Sequence, residues 1–219
     1  MYTGTGSLIN DAPNVTISDL TLDGSLCPGI APVQIGVTLV FLSNNSTLRR
    51  VRMQNAPSFG AFVYGGSPTI QSCQFDNCCR TNGADALGSD HSDGPVLYDS
   101  NVFTRCRNNS IDNCGPLTGI WSNNSVLSIA PIHGTDAGDI IVDGGCSGVI
   151  VRNNTLMVGG IQVYNATGCG GGEPHGSQII DNVIQNGTIC DTPLCPGLYI
   201  VPGYNNTHHG NVIAGVTVD

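Results

Sequence analysis

A six-residue phrase, apolar-x-x-Asn-x-apolar, recurs along this chain and leaves few folds open to it. It reads Tyr98-x-x-Asn101-x-Phe103, Trp121-x-x-Asn124-x-Val126, Val151-x-x-Asn154-x-Leu156, Ile179-x-x-Asn182-x-Ile184 and, with a His in the first slot, His208-x-x-Asn211-x-Ile213. Upstream the apolar slots persist while the Asn slot is refilled, by Cys in Ile70-x-x-Cys73-x-Phe75, Val in Leu48-x-x-Val51-x-Met53 and Leu in Ile17-x-x-Leu20-x-Leu22. The eight copies stand 22 to 31 residues apart. A loose period of that size is the mark of a solenoid. Alternation within each copy has period two, so the repeated unit is a strand. A second strand is expected ahead of most copies, at residues 37–40, 61–64, 139–142, 160–163 and 197–200. Short strands joined by Gly and Asn bends wind into an all-β, single-stranded parallel β-helix of about eight turns. No Pro/Ser-rich linker or charge block divides residues 1–219, which read as one domain.

Over roughly residues 14–215 the phrase resembles the repeat of right-handed parallel β-helix proteins of the pectate-lyase-like superfamily. The resemblance implies a right-handed coil in which Asn101, Asn124, Asn154, Asn182 and Asn211 form an interior ladder, hydrogen-bonding neighbouring turns and so pairing polar groups that burial would otherwise strand. It implies no single activity. The superfamily includes lyases, hydrolases, epimerases, phage tailspikes and non-catalytic proteins, and fold does not dictate function. Its pectin-cleaving hydrolases carry an Asn-Thr-Asp stretch, an Asp pair, a Gly-His-Gly and an Arg-x-Lys, none of which stands here; its lyases use Arg or Lys beside calcium-binding acids, and no Arg here adjoins an evident acidic cluster. The alginate-epimerase signature is also missing. No cofactor is called for, and calcium has no evident ligand set.

Composition narrows the partners. The chain has a net charge of −9, and its seven basic residues are all Arg. That balance disfavours nucleic acid and anionic membranes, and no apolar run approaches the ~18 residues of a membrane span. Arg49, Arg50 and Arg52 form either a solvated strand face or an anion-binding patch. Met1-Tyr2-Thr3-Gly4 does not read as a signal peptide, so a secreted protein would be represented by its mature form or an excised piece.

Ten cysteines without repeated Cys-x-x-Cys pairs point to disulfides and an extracellular setting. Cys78 and Cys106 each fall five residues after the Asn slot of adjacent turns, within disulfide reach at an inter-strand spacing of ~4.8 Å. Cys190 and Cys195 can close a local loop. Cys114, Cys146 and Cys169 follow the second strand in three consecutive turns, so Cys146 can pair with either neighbour. Cys73, in the Asn slot, is expected as a free buried thiol.

Nine Asn-x-Ser/Thr sequons begin at Asn14, Asn44, Asn45, Asn108, Asn123, Asn153, Asn165, Asn186 and Asn205, where chance multiplication gives roughly three. They read either as N-glycosylation sites of a secreted glycoprotein or as a by-product of bends rich in Asn, Ser and Thr.

The candidate chemistry is sparse. Aligned on interior apolar residues, Asp112 and Asp143 are expected on one outward column in successive turns, a carboxylate pair for glycosidic acid–base work, with His91 or His133 nearby. Asp90, His91 and Asp93 could alternatively hold a metal. Tyr64 and Tyr164 are expected on the same column as a sugar-stacking surface. Glu173 sits in a Gly-rich loop with nothing to anchor it. Neither end carries a covering helix, so uncapped terminal turns are expected to meet further turns of a longer chain or copies of the same chain, head to tail in a filament. The sequence thus points first to an extracellular structural or adhesive β-helix glycoprotein. The alternatives are a polysaccharide-active lyase, hydrolase or epimerase, or a carbohydrate-binding module.

Overall fold

The computed structural model describes residues 8–10, 12–26, 38–43, 45–80, 84–90, 94–115, 117–130, 138–165, 171–189 and 197–218. They form a parallel β-helix with three sheets of nine, eight and nine strands. Sheet 1 runs from Leu8–Asn10 through Ala61–Tyr64 and Ile140–Val142 to Gly197–Ile200, sheet 2 from Thr16–Ser18 to Thr207–His209, and sheet 3 from Thr21–Asp23 to Asn211–Ile213. The eight strands of sheet 2 count eight coils.

The two apolar slots of the repeat become two interior columns. In sheet 2, Ile17, Leu48, Ile70, Tyr98, Trp121, Val151, Ile179 and His208 lie in register. In sheet 3 the column is Leu22, Met53, Phe75, Phe103, Val126, Leu156, Ile184 and Ile213. Parallel in-register strands place like residues over like, so the rings stack: Phe75 on Phe103 at 4.8 Å and Tyr98 on Trp121 at 5.8 Å between centroids.

Between these columns the chain turns a corner, and it does so identically in every coil. Asp19, Arg50, Ser72, Ser100, Asn123, Asn153, Asp181 and Gly210, each directly before the slot residue, all adopt positive φ. A left-handed residue disfavours most side chains by ~1–2 kcal/mol, least for Gly, Asn and Asp. Its effect is to aim the next residue inward. In the last five coils that residue is Asn101, Asn124, Asn154, Asn182 or Asn211, each essentially fully buried. The first four amides repeat one pattern: Asn124 Nδ2 donates to Asn154 Oδ1 (3.0 Å) and to the Tyr98 carbonyl (3.0 Å), while the Asn124 backbone N–H also donates to Asn154 Oδ1 (2.9 Å). The ladder ends at Cys73, whose N–H donates to Asn101 Oδ1 (3.0 Å) and whose thiol reaches the Leu48 carbonyl (3.5 Å), a weak imitation of the Asn amide. Cys73 is a free buried thiol, as expected.

Several expectations need correction. The strand placed at residues 37–40 is Val40–Ser43, and sheet 1 has a further strand that was not expected, Leu87–Asp90. Leu87-Gly88-Ser89-Asp90 has little strand propensity of its own. It is extended because Ala61–Tyr64 and Ile111–Asn113 pair with it on both sides, tertiary context overriding propensity. At the far end, Val216–Val218 turns back antiparallel onto Asn211–Ile213 and covers that edge of sheet 3, so the last coil is not bare there. Sheet 1 ends on the two-residue strand Thr188–Ile189, which lies outside Gly197–Ile200. At the opposite end Ile17, Leu20 and Leu22 are only partly buried, and no further strand lies beyond Thr16–Ser18 or Thr21–Asp23 among the described residues.

The cysteine pairings also differ. Cys78 and Cys106 are both free, and so is Cys146. Positive φ at Asn77 turns Cys78 into the core, where its thiol faces the carbonyl of Met53 (3.5 Å) on the preceding coil and not Cys106. Cys146 directs its thiol to the Asn113 carbonyl (3.4 Å). Cys114 is disulfide-bonded, to a partner outside the described residues. Cys169, Cys190 and Cys195 also lie outside them.

Candidate carbohydrate-binding face

Every second residue of a sheet 1 strand points out of the coil. One outward column runs Phe41, Phe62, Gly88, Asp112, Ile141, Gln162, Tyr199. The next includes Tyr64, and the cross-strand bonds Cys114 N–H to Ser89 O (3.0 Å) and Tyr164 N–H to Val142 O (3.2 Å) continue it through Cys114, Asp143 and Tyr164.

The expected carboxylate pair is therefore out of register. Asp112 is level with Ile141, and Asp143 stands two residues further along, roughly 8 Å away between Cα positions by strand geometry. Asp143 is fully buried and accepts the N–H of Gly144 (2.6 Å); Asp112 is partly buried and receives Asn109 Nδ2 (3.1 Å). Between them they act on Cys146, whose thiol is held up first by burial and then by the two carboxylates. The alignment went wrong because the motif fixes register in sheets 2 and 3 but not in sheet 1. His91, His133 and Asp93 lie outside the described residues, and among those described no three His, Cys, Asp or Glu side chains could share a metal ion.

The other charged groups are absorbed by the coil surface. Arg50 grips Asp19 with two bonds of 2.6 Å and Arg105 grips Asp76 with two of 2.7 Å, each across one coil, while Arg52 adds a third contact to Asp76 (3.2 Å). These guanidinium groups hold both carboxyls below the ordinary range, Asp19 at about 2. Arg50 and Arg52 are thus paired locally, which answers for two thirds of the anion-patch expectation. Asp99 is similarly enclosed: desolvation opposes its charge, but Ser122, Asn123, Gln71 and Ser100 all donate to it and outweigh that penalty.

What sheet 1 does carry is an aromatic strip. Tyr64, 48% exposed, stacks on Phe41 at 6.3 Å; Phe41 stacks on Phe62 at 5.9 Å; Phe59 meets Phe62 edge-on at 4.8 Å. Gly88 makes room for it, since a Cβ there would lie 2.5 Å from the Phe59 ring. Four coils further on, Tyr164 meets Tyr199 edge-on at 5.8 Å. Tyr64 and Tyr164 do share a column, separated by roughly 19 Å of inter-strand spacing. Sequence reasoning missed Phe41, Phe59, Phe62 and Tyr199; correct placement of Val40–Ser43 against Ala61–Tyr64 would have aligned Phe41 with Phe62. It also missed a polar knot inside the coil, where Tyr98 Oη donates to Asn113 Oδ1 (2.9 Å) and Ser89 Oγ bonds the same oxygen.

The sequons have a structural origin in five of nine cases. Asn123 and Asn153 are the left-handed corner residues, followed by a ladder Asn and the first residue of a sheet 3 strand, Ser125 or Thr155. Asn14, Asn45 and Asn205 are left-handed too, two residues ahead of the sheet 2 strands that begin at Thr16, Thr47 and Thr207. Asn in the bend and Ser or Thr at the strand start reproduce the acceptor pattern by themselves. Asn14, Asn45, Asn123, Asn153, Asn186 and Asn205 are exposed, Asn108 and Asn165 half-buried, and Asn44 is outside the described residues. Asn108 is engaged with Asp85 (2.9 Å), Asn123 with Asp99 (2.7 Å) and Asn186 with the Met157 carbonyl (2.8 Å).

No family model, curated protein or solved structure matches the chain.

Proposed function

We propose that this chain is an extracellular structural or adhesive β-helix, a rigid rod of the pectate-lyase-like kind, which holds carbohydrate against the aromatic strip of sheet 1. The observation that carries the reading is the Tyr64–Phe41–Phe62 stack: a half-exposed phenol backed by two rings on a strand ladder is a flat, low-entropy platform for the C–H face of a sugar. The carboxylates support binding in preference to hydrolysis, because Asp143 is buried and the side chains of Asp76, Asp99 and Asp19 are each committed to bonds across the coils. Exposed Asn14, Asn45, Asn153 and Asn205 offer glycan positions at the corners of the coil. The partly buried Ile17, Leu20 and Leu22 of the first coil suit further coils, from a longer chain or from a second copy.

The test is binding of the purified protein to a panel of neutral and acidic polysaccharides, with Tyr64→Ala and Tyr164→Ala beside the wild type. Loss of one stacking ring, ~1–1.5 kcal/mol, weakens binding about five- to tenfold. Binding that ignores Tyr64, or hydrolysis or lyase products that vanish with Asp112→Asn, would replace this reading with the enzymatic one. Negative-stain electron microscopy of the same preparation separates filaments from single rods, and peptide mapping of secreted material reads the glycans.

A further inference from the structure

We infer that Cys79 and Cys106 are the two halves of a disulfide that closes when the chain folds in an oxidising environment, stapling the third coil to the fourth. The placement is built from the strands outward. Gln74–Asp76 and Val102–Thr104 pair in register, Asp76 opposite Thr104. Each strand is followed by a left-handed residue, Asn77 (φ 53°) and Arg105 (φ 54°). On the third coil a second one follows at Cys79 (φ 55°), and the fourth coil has no counterpart. Cys78, like Cys106, turns into the core directly after its left-handed residue, while the extra kink swings Cys79 over the fourth coil, where its thiol is hydrogen-bonded to the thiol of Cys106 and receives the backbone amides of Asn108 and Arg107.

The surroundings hold the two sulfurs together. Arg107 Nη1 donates to the Arg80 carbonyl, tying the same two coils one residue beyond the pair. Cys79 N–H donates to Ser58 O (2.9 Å), Cys106 O accepts from Ala130 N–H (2.8 Å), and Ser110 Oγ leans on Cys106 Sγ (3.7 Å). Both cysteines are completely buried. The third thiol of the cluster, Cys78, is turned to Met53 O, so the group does not offer three sulfurs to a metal.

Burial decides when the bond forms. The thiolate is the attacking species in thiol–disulfide exchange. The Cys79 thiol is pushed well above its ordinary value, first by burial and then by Cys106, so the folded, reduced protein reacts slowly. The bond belongs to the folding chain. With glutathione disulfide as oxidant, one cysteine thiolate attacks it, forming a mixed disulfide and releasing one glutathione. The second cysteine thiolate then displaces the other glutathione. Two cysteine thiols are oxidised to one disulfide, one glutathione disulfide is reduced to two glutathiones, and the cysteine protons end on the glutathione thiolates.

The experiment refolds denatured, reduced protein in a glutathione redox buffer, blocks free thiols with N-ethylmaleimide in denaturant, and digests with trypsin without reduction. The chain has no Lys, and its Arg positions make the product distinctive: the dipeptide Cys106-Arg107 joined to the peptide of residues 53–80. Fragment ions between residues 78 and 79 then locate the bond on the wild type itself. The expected result is Cys79–Cys106, retained in Cys78→Ser, lost in Cys79→Ser, and formed at least tenfold more slowly when folded reduced protein meets the same buffer. A bond to Cys78 or Cys73, or N-ethylmaleimide on both Cys79 and Cys106 after oxidative refolding, overturns the inference.

Discussion

Substituting Asn154 by Ala tests whether the interior ladder stabilises the coil as its geometry requires. Asn154 Oδ1 accepts the backbone N–H of Asn124 (2.9 Å) and its Nδ2 (3.0 Å), and Asn154 Nδ2 donates to the Trp121 carbonyl (2.9 Å) and to Asn182 Oδ1 (2.9 Å). Ala removes all four bonds, but their partners are not equally harmed. Asn182 Oδ1 keeps the Asn154 N–H (2.9 Å), and Asn124 Nδ2 keeps the Tyr98 carbonyl (3.0 Å). The backbone N–H of Asn124 loses the partner it has in the ladder, and so does half of its side-chain amide. Water cannot replace them, because Asn124 is 1% exposed.

Each stranded donor costs ~1–3 kcal/mol and the small cavity adds ~1 kcal/mol, so the expected loss is about 3–6 kcal/mol. At ~2–4 °C per kcal/mol for a chain of this size, Tm falls by roughly 6–24 °C. The comparison is Asn153→Gly next door, which removes an outward side chain at a left-handed position that Gly accepts; it should stay within about 0.5 kcal/mol. Urea unfolding followed by circular dichroism gives both values. If the two variants lie within 1 kcal/mol of each other, the ladder is a spectator of the fold and the argument from buried polar groups fails.

The remaining predictions use the same logic. Cys73→Asn extends the ladder by one rung, offering a true amide to Leu48 O and an oxygen to the Val51 N–H that now faces the sulfur, and should raise Tm by a few degrees, ~1 kcal/mol; a lower Tm would mean the slot is too small. Gly88→Ala places a Cβ against the Phe59 ring and should cost ~1–3 kcal/mol in urea unfolding while weakening any sugar binding that Tyr64 supports. In acid, Asp76 is held below its ordinary value by Arg105 first, so its contribution is complete above an unfolded value near ~4 and disappears as pH falls through the lower folded value. The urea midpoint should therefore be level near neutrality and drop below about pH 4, with a shallower drop in Asp76→Asn; an equal drop would assign the acid sensitivity to other carboxylates.

The coil was legible because the residue that fixes its geometry is chemically singular. A buried Asn needs partners above and below, which makes Asn101 through Asn211 repeat in sequence, and both apolar slots then fall where the structure has them. Sheet 1 has no such marker. Its inward residues vary from Leu87 to Ile161, and its strand at Leu87–Asp90 exists only because neighbours pair with it. The slip in the Asp112–Asp143 alignment and the omission of Phe41 both follow from that missing marker. The cysteines failed for a different reason: counting five residues past the Asn slot does align Cys78 with Cys106, but the Cys78 thiol bonds back to the preceding coil and it is the left-handed Cys79 whose thiol meets the next one.

The same physics limits how function can be read from such a chain. A corner that favours Asn, Asp, Ser or Gly at positive φ, followed by a strand that favours Thr or Ser, writes glycosylation sequons, and stacked coils write acidic residues beside arginines, whatever the protein does. Asp19, Asp76 and Asp99 would each look catalytic in isolation, yet each is bonded by donors from an adjoining coil. The informative residues are those the repeat does not require. No corner or core position of the repeat asks for a ring at Tyr64. It is nevertheless stacked on Phe41 and left half open to solvent. An aromatic that the repeat does not prescribe is where a ligand-binding role has the fewest structural competitors, which is why the strip on sheet 1, and not the sequons or the carboxylates, is the place to test first.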